Sequence, residues 1–319
     1  MDRTQRRKET LLTLFPVRKS AAQKADFRNW LMAELKLCGW KAHEETYGKF
    51  NGSVNVVAGD PEKAVVFLIA HYDTAPRMLV PNFISPTNPL AHIAYHFCAA
   101  LLLLVLALVV SFAVSFPLRQ PGLMLPLFLI LALAILFTSV YGPANRHNAN
   151  GNTSGVLALL AMAERLERDK RVCFVFLDNN ERNLLGASSF RKRHWGAADS
   201  CLFLNFDCVG DGDTVLMMPS KCCRADGDLL AALEEAFRGR GSVKTRVITR
   251  GLVYAPSDHR KFRFHVSFTA CRRLRGVGYY ISRLRTSRDT VLATENIDLL
   301  AEGMECFLPL YWKEGEKKS

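Results

Sequence analysis

Two long apolar runs place the strongest constraint on what this chain can fold into. Ala91–Phe116 reads AHIAYHFCAALLLLVLALVVSFAVSF, and Leu123–Tyr141 reads LMLPLFLILALAILFTSVY. Neither run contains Asp, Glu, Lys or Arg. A helix needs about 20 apolar residues to cross the hydrocarbon core of a bilayer, and both runs are of that order. The competing reading is a helical hairpin buried in a soluble core. Two consecutive spans of this length and purity favour the lipid bilayer. Pro126 falls in the first turns of the second span, where proline is tolerated. His92 and His96 stand four residues apart at the start of the first span. That spacing suits a metal, but two interfacial histidines are the more ordinary reading.

The connector Pro117–Gly122 is six residues long and carries only Arg119 as a charge. So short a link makes the spans antiparallel. Residues 1–90 and 142–319 are then expected on one side of the membrane. The N-terminal stretch is polar and basic and lacks the apolar core of a signal peptide. The expectation is a multi-pass membrane protein with two spans and its soluble part in the cytoplasm.

Composition agrees with a local membrane segment. Hydrophobic residues make up 49% of the 319 residues, and the mean hydropathy is +0.05. The formal net charge is +12, with clusters at Arg3, Arg6, Arg7 and Lys8 and at Arg272, Arg273 and Arg275. No RNA-binding aromatic signature or zinc-finger spacing accompanies them, so nucleic acid is not an expected partner. A solvated or lipid-facing surface is the better reading. The nine cysteines include no CxxC pair. Cys173, Cys201 and Cys208 lie in or beside apolar runs, and Cys222 and Cys223 are adjacent. This predicts a reduced compartment with no disulfide framework.

Outside the spans, β-rich runs alternate with helical patterns. Val65–Ala70, Val172–Leu177 and Leu202–Phe206 are continuous apolar runs of the kind found in strands buried on both faces. Asp26–Leu37, Gly155–Leu166 and Asp298–Leu310 read as helices with one apolar face. The predicted fold class is α/β, with a mostly parallel central sheet and helices on both faces. A first part (1–90) and a remainder (142–319) form one domain, interrupted by a transmembrane hairpin insertion (91–141). Ligands bind such sheets beyond the carboxyl ends of the strands. The polar residues there are His71 and Asp73, then Asp178, Asn180 and Glu181, then Asp207. Histidine and carboxylates at three strand ends together point to a cation site.

These residues resemble the co-catalytic zinc aminopeptidases, the family of bacterial leucine aminopeptidase, glutamate carboxypeptidase and glutaminyl cyclase. His71-Tyr72-Asp73 resembles its His-x-Asp motif, and Asn152-Thr153-Ser154-Gly155 its Asp-x-Ala-Ser-Gly turn. Asp178-Asn179-Asn180-Glu181 followed by Leu184-Leu185-Gly186-Ala187 is similar to its Asp-Gly-Glu-Glu…Leu-Leu-Gly-Ser stretch. Asn205-Phe206-Asp207 and Ser257-Asp258-His259 with Phe262 match two further landmarks. Arg285-Thr286-Ser287-Arg288-Asp289-Thr290 resembles its C-terminal His-Thr-Pro-x-Asp-Thr. The resemblance spans most of the soluble part. It implies two zinc ions held by His and carboxylates, a shared bridging carboxylate, and a glutamate acting as general base. Carried over, His71 and Glu181 would hold one metal and Asp207 the other, with Asp73 orienting His71.

Three positions depart from that pattern. The bridging aspartate falls on Gly151. The general base falls on Asn180, an amide that takes no proton at neutral pH. The last histidine falls on Arg285, which cannot donate a lone pair. The resemblance therefore implies a degenerate member without hydrolysis and without a cofactor. Such a member would be a binding or regulatory module taking a peptide or protein ligand in the former cleft, through Asp73, Asn180, Arg285, Asp258 and His259. The alternative is an active zinc-dependent hydrolase with a single metal at His71, Glu181 and His259. A channel role for two uncharged spans has no ion pathway to support it.

Overall fold

A computed structural model describes residues 2–48 and 52–318, with side chains described as far as Lys313. Its centre is a nine-stranded mixed sheet. The strands are β1 (Ala42–Tyr47), β2 (Ser53–Ala58), β3 (Val66–His71), β4 (Val172–Leu177), β5 (Leu202–Phe206), β6 (Thr214–Pro219), β7 (Lys244–Val247), β8 (Phe264–Leu274) and β9 (Gly278–Tyr280). They run in the order β1-β2-β4-β3-β5-β8-β6-β7, with β9 paired to β8. The predicted parallel centre is present: β4, β3, β5 and β8 are mutually parallel. Antiparallel pairs flank it on both sides, β1–β2 and β2–β4 on one, β6–β8 on the other.

The apolar runs form central strands because every residue of β3, β4 and β5 is buried. Side chains alternate across the sheet with period two. Val66, Leu68 and Ala70 face one hydrophobic cluster, while Phe67 and Ile69 face another. The first cluster is covered by α1 (Arg3–Thr13), α2 (Ala21–Leu37), α5 (Ser154–Arg165), α8 (Gly227–Phe237) and α9 (Thr294–Lys318), which bring in residues such as Leu11, Leu31, Leu159, Leu233 and Met304. The second is covered by α6 (Leu185–Arg193) and α7 (Trp195–Ser200) through Ala187, Phe190 and Ala198. Helix α2 starts where its sequence provides a cap. Ser20 Oγ accepts from the Gln23 amide at 3.2 Å, and Gln23 Oε1 accepts from the Ser20 amide at 3.0 Å. This reciprocal pair satisfies two helix-end donors.

The two apolar runs form α3 (Pro89–Ser115) and α4 (Met124–Tyr141), joined through a short 3-10 turn at Pro121–Leu123. Both are long and apolar enough to cross a membrane. Only Ala107, Ser111 and Ser115 of α3 are buried, and no residue of α4 is. The hairpin enters between β3 and α5. Its ends return to one place, where the Asn145 amide donates to the Ala75 carbonyl at 2.9 Å and the Arg77 amide to the Pro143 carbonyl at 2.8 Å.

An ion pair fastens α6 to the sheet edge. His194 Nε2 lies 3.0 Å from Glu45 Oε1 on β1. Burial opposes the charge on Glu45, but the hydrogen bond from His194 holds its carboxyl below the ordinary 4.5. That bond in turn raises His194 above 6.5. A lowered carboxylate contributes stability that is lost as pH falls through its folded value. A raised histidine contributes stability that is lost as pH rises through its own. His194→Gln should therefore lower the melting temperature most between about pH 5 and 6.5, and less on either side. A wild-type-minus-variant difference that does not vary from pH 4 to 9 would contradict the pair.

Candidate active site

The carboxyl ends of the parallel strands deliver the site. β3 ends on His71, with Asp73 two residues on. β4 ends at Leu177, followed by Asp178 to Glu181. β5 ends at Phe206, followed by Asp207. The third side comes from α5, whose close approach requires glycine. A Cβ at Gly155 would lie 2.3 Å from the Phe206 carbonyl oxygen. The backbone around the site is held in unusual conformations. Asn179, Asn183, Leu184, Cys208 and Arg285 all have φ between 53° and 61°. Strained φ values of this kind gather at functional sites.

The structure brings His71, Gly151, Asn180, Glu181, Asp207 and Arg285 onto one cavity. Asp73, Asp258 and His259 lie behind its wall, each under a tenth exposed. His71 Nδ1 lies 3.3 Å from Asp73 Oδ1, so the aspartate stands where it orients the ring. His71 Nε2 lies 3.7 Å from Asp207 Oδ1. β3 lies between β4 and β5, and His71 stands beside Asp207 at the end of β5, while Glu181, beyond the end of β4, is paired with Arg285. Burial opposes a charge on His71, but Asp207 and Asp73 overcome it and raise the imidazole well above 6.5. Burial likewise works against ionisation of Asp73 and Asp207, yet the His71 bond holds each below 3.8.

Glu181 faces a different cation. Arg285 Nη2 donates to Glu181 Oε2 at 2.5 Å, with side-chain exposures of 29% and 15%. Burial pushes the Glu181 carboxyl up and Arg285 draws it down; the net direction is up. Asn180 also has a defined task. Its side-chain amide donates to Asp258 Oδ2 at 2.9 Å. Burial pushes Asp258 up to about 7. A carboxylate at position 180 would face Asp258 with like charge, whereas the amide supplies a donor. His259, pushed down to about 3 by burial, is neutral, lies 3.4 Å from Asn205 Nδ2 and packs on His265.

Two site residues were missed as functional on sequence grounds. Asp289 accepts from the amides of Asn150 at 2.7 Å and Gly151 at 3.2 Å. A Cβ at Gly151 would meet Asp289 Oδ2 at 3.1 Å, so this carboxylate lies over the place a bridging side chain would enter. Its only sequence signal was the C-terminal motif Arg285–Thr290. Lys24 is the other, and it carries no signal at all. Its Nζ bonds Asp178 Oδ1 at 2.5 Å and Asn179 Oδ1 at 2.7 Å, tying α2 to the loop that presents Glu181.

The fold is one shared with solved glutaminyl cyclases and aminopeptidases. Within it, residues 138–272 match the model of Peptidase family M28. Similar solved structures include Porphyromonas gingivalis glutaminyl cyclase, at 16% identity and TM-score 0.60, covering 96% of this chain and 95% of that one. A Zn-dependent exopeptidase from Parabacteroides distasonis is 17% identical with TM-score 0.58 and 97% coverage of each chain. A leucine aminopeptidase precursor from Bacteroides thetaiotaomicron is 13% identical with TM-score 0.56, covering 95% of this chain and 93% of that one. No curated protein matches the sequence.

The expectation of no cofactor is corrected by these likenesses. The family and the zinc-dependent exopeptidase among the structural relatives point to zinc. The donor set tests how zinc would fit this chain. His71 and Asp207 converge and would be the residues to hold it. A catalytic zinc normally has three protein ligands. Among the described residues, no group of three or more His, Cys, Asp or Glu is placed to hold a metal. The two-metal centre of the family does not fit. Its bridge would enter at Gly151, under Asp289, and its second position has the Arg285 guanidinium against Glu181. Removing that guanidinium tests how far the pair supports the domain. Arg285→Ala should cost about 1–3 kcal/mol, between an exposed and a fully buried pair. Urea unfolding reads it, and a loss under about 0.3 kcal/mol would mean the pair is a surface contact.

Proposed function

We propose that this chain is a membrane-anchored, non-hydrolytic member of the zinc-exopeptidase fold that serves as a binding or regulatory module. The observation that carries the reading is the Arg285–Glu181 ion pair inside the former catalytic pocket. A fixed cation there neutralises the carboxylate that a metal would use. Asn180 removes the general base, a loss of about 10²–10⁴-fold by itself. The pocket that remains has a volume of about 60 Å³, room for a few waters. A peptide or protein ligand would enter by offering Arg285 a carboxylate in exchange for Glu181. The hairpin α3–α4 anchors the domain in the bilayer. The soluble parts on both sides of it face the cytoplasm.

A second reading has one observation in its favour. His71 and Asp207 converge on a single position, which suits a hydrolase with a reduced, single-zinc site. Turnover separates the two. The full chain in detergent, supplied with zinc, should give no release from aminoacyl nitroanilides or from N-terminal glutaminyl peptides above the enzyme-free rate. Chelator-sensitive turnover that disappears in Glu181→Ala would overturn the non-hydrolytic reading. For topology, an export-dependent reporter should be active in the 117–122 connector and silent after Ser319. Activity after Ser319 would reverse the orientation.

A further inference from the structure

A second cavity lies where the hairpin meets the soluble domain. Its volume is about 630 Å³, and Glu181 separates it from the catalytic pocket. One wall is the end of α4, Val140 and Tyr141. Its lining also includes Lys19, Arg182 and Asn183, and the carboxylates Asp73 and Glu181, which are already paired with His71 and Arg285. Lys19 Nζ donates to the Gly142 carbonyl, which fixes the cation at the C-terminal end of α4. Burial and the neighbouring Arg182 lower the Lys19 pKa, with Glu181 acting the other way; the net direction is down. Among the described residues, neither Lys19 nor Arg182 is in an ion pair. The half-buried Lys19 and the exposed Arg182 thus line one cavity without an ion pair of their own, and a shared anion would bring opposite charge to both.

The position of the cavity says what that anion is. The α4 surface leading away from it is apolar and exposed: Phe137 is 62% exposed, Val140 49% and Tyr141 65%. A ligand seated here would have an acidic head between Lys19 and Arg182 and a hydrocarbon tail along α4. Arg77 and Arg146, on the two chain segments joined at the same helix end, are exposed and would add to the local positive field. Basic groups at the cytoplasmic end of a span attract anionic headgroups.

We propose that the cavity at the base of α4 binds the phosphate of an anionic phospholipid, with Lys19 and Arg182 as its charge partners. The proposal rests on the bilayer reading of α3 and α4. Bound headgroup would lie against the loop that carries Glu181, so lipid occupancy and the Arg285–Glu181 pair share one structural element.

Native mass spectrometry of the detergent-solubilised full chain tests this, with phosphatidylglycerol and phosphatidylcholine titrated in parallel. Wild type should retain phosphatidylglycerol about tenfold more strongly, since each basic group near the surface contributes an appreciable attraction. The Lys19→Gln/Arg182→Gln variant should lose that preference, and Lys19→Arg/Arg182→Lys should keep it. The charge-conserving variant separates lost binding from lost folding. Equal retention of the two lipids by wild type, or an unchanged preference in the glutamine variant, would overturn the site. Displacement of phosphatidylglycerol by millimolar inorganic phosphate would assign the cations to a soluble phosphate and overturn the lipid. Release of the chain from membranes by alkaline carbonate would refute the bilayer reading and, with it, the lipid proposal; that arm is read separately from lipid retention.

Discussion

Arg7→Ala should destabilise the domain by about 3–5 kcal/mol, the range for breaking a buried ion pair by removing one partner. Arg7 sits on α1 with 1% of its side chain exposed. Its Nε donates to Glu34 on α2 at 2.8 Å and its Nη1 to Glu164 on α5 at 2.6 Å. The same guanidinium reaches the Leu160 carbonyl at 3.3 Å and Cys38 Sγ at 3.1 Å. Burial opposes its charge, yet the bond to Glu34 and the neighbouring Cys38 and Glu164 raise its pKa above the ordinary arginine value. Removing it would strand Glu34, which is 11% exposed, without a counter-charge. Arg7→Lys keeps the charge but offers a single ammonium where four acceptors are spread over two helices. It should recover only part of the loss. Urea midpoints for wild type, Arg7→Ala, Glu34→Gln and the double variant give the coupling directly, with Arg7→Lys read alongside. A cost for Arg7→Ala below about 1 kcal/mol would place the pair among surface contacts and contradict the packing of α1 on the core.

Lys24→Ala is the second large effect, also about 3–5 kcal/mol, and it carries a pH signature. Lys24 is 10% exposed and Asp178 3%. Asp178 also accepts from the Val54 and Asn179 amides at 3.1 and 2.8 Å. Burial already pushes its carboxyl above 3.8, with Lys24 drawing it back. Without Lys24 the folded state would favour protonated Asp178 more strongly. A carboxyl whose folded pKa exceeds its unfolded one binds more protons in the native state, so stability grows as pH falls. The deficit of Lys24→Ala should therefore shrink from pH 8 toward pH 5. A deficit that widens as pH falls would show that Lys24 stabilises something other than Asp178. The loop bearing Asn180 and Glu181 follows Asp178 directly, so the variant should also loosen the Arg285–Glu181 pair.

The elements legible in sequence were those with a local cause. Val172–Leu177 and Leu202–Phe206 form strands over those very residues, because a short run apolar at every position, or at all but Asn205, is that of a strand buried on both faces of a sheet. Helix α5 runs Ser154–Arg165 as its apolar content suggests, but Ser154 to Ala163 are all buried, so it is covered on every side and not on one face only. The sheet was less legible. Its parallel centre follows from alternating β and α elements, but β1 is polar and β8 interleaves Ser267, Thr269, Arg272 and Arg273 with its apolar residues, so the antiparallel β1–β2 and β6–β8 pairs lack that signature. The site divides similarly. His71, Glu181 and Asp207 could be picked out because each stands just past an apolar strand. Lys24 could not, since it reaches the site from a helix whose own pattern says nothing of it, and Asp289 was marked only by the motif Arg285–Thr290.

By itself, the sequence determined that two uncharged apolar helices joined by so short a link pair as an antiparallel hairpin, because the connector permits no other geometry. It also determined that position 151 has no side chain, that position 180 cannot act as a base and that position 285 is always a cation, since these are properties of the residues alone. Which groups meet was decided only by the tertiary structure. Arg285 lies 104 residues from Glu181, Lys24 is 154 from Asp178, and Asp289 is 138 from Gly151. His71 meets Asp207 because β3 lies beside β5 in the sheet order. Contacts over such separations depend on strand order and helix docking, which are set by burial of the whole core and leave no mark in any local stretch of residues.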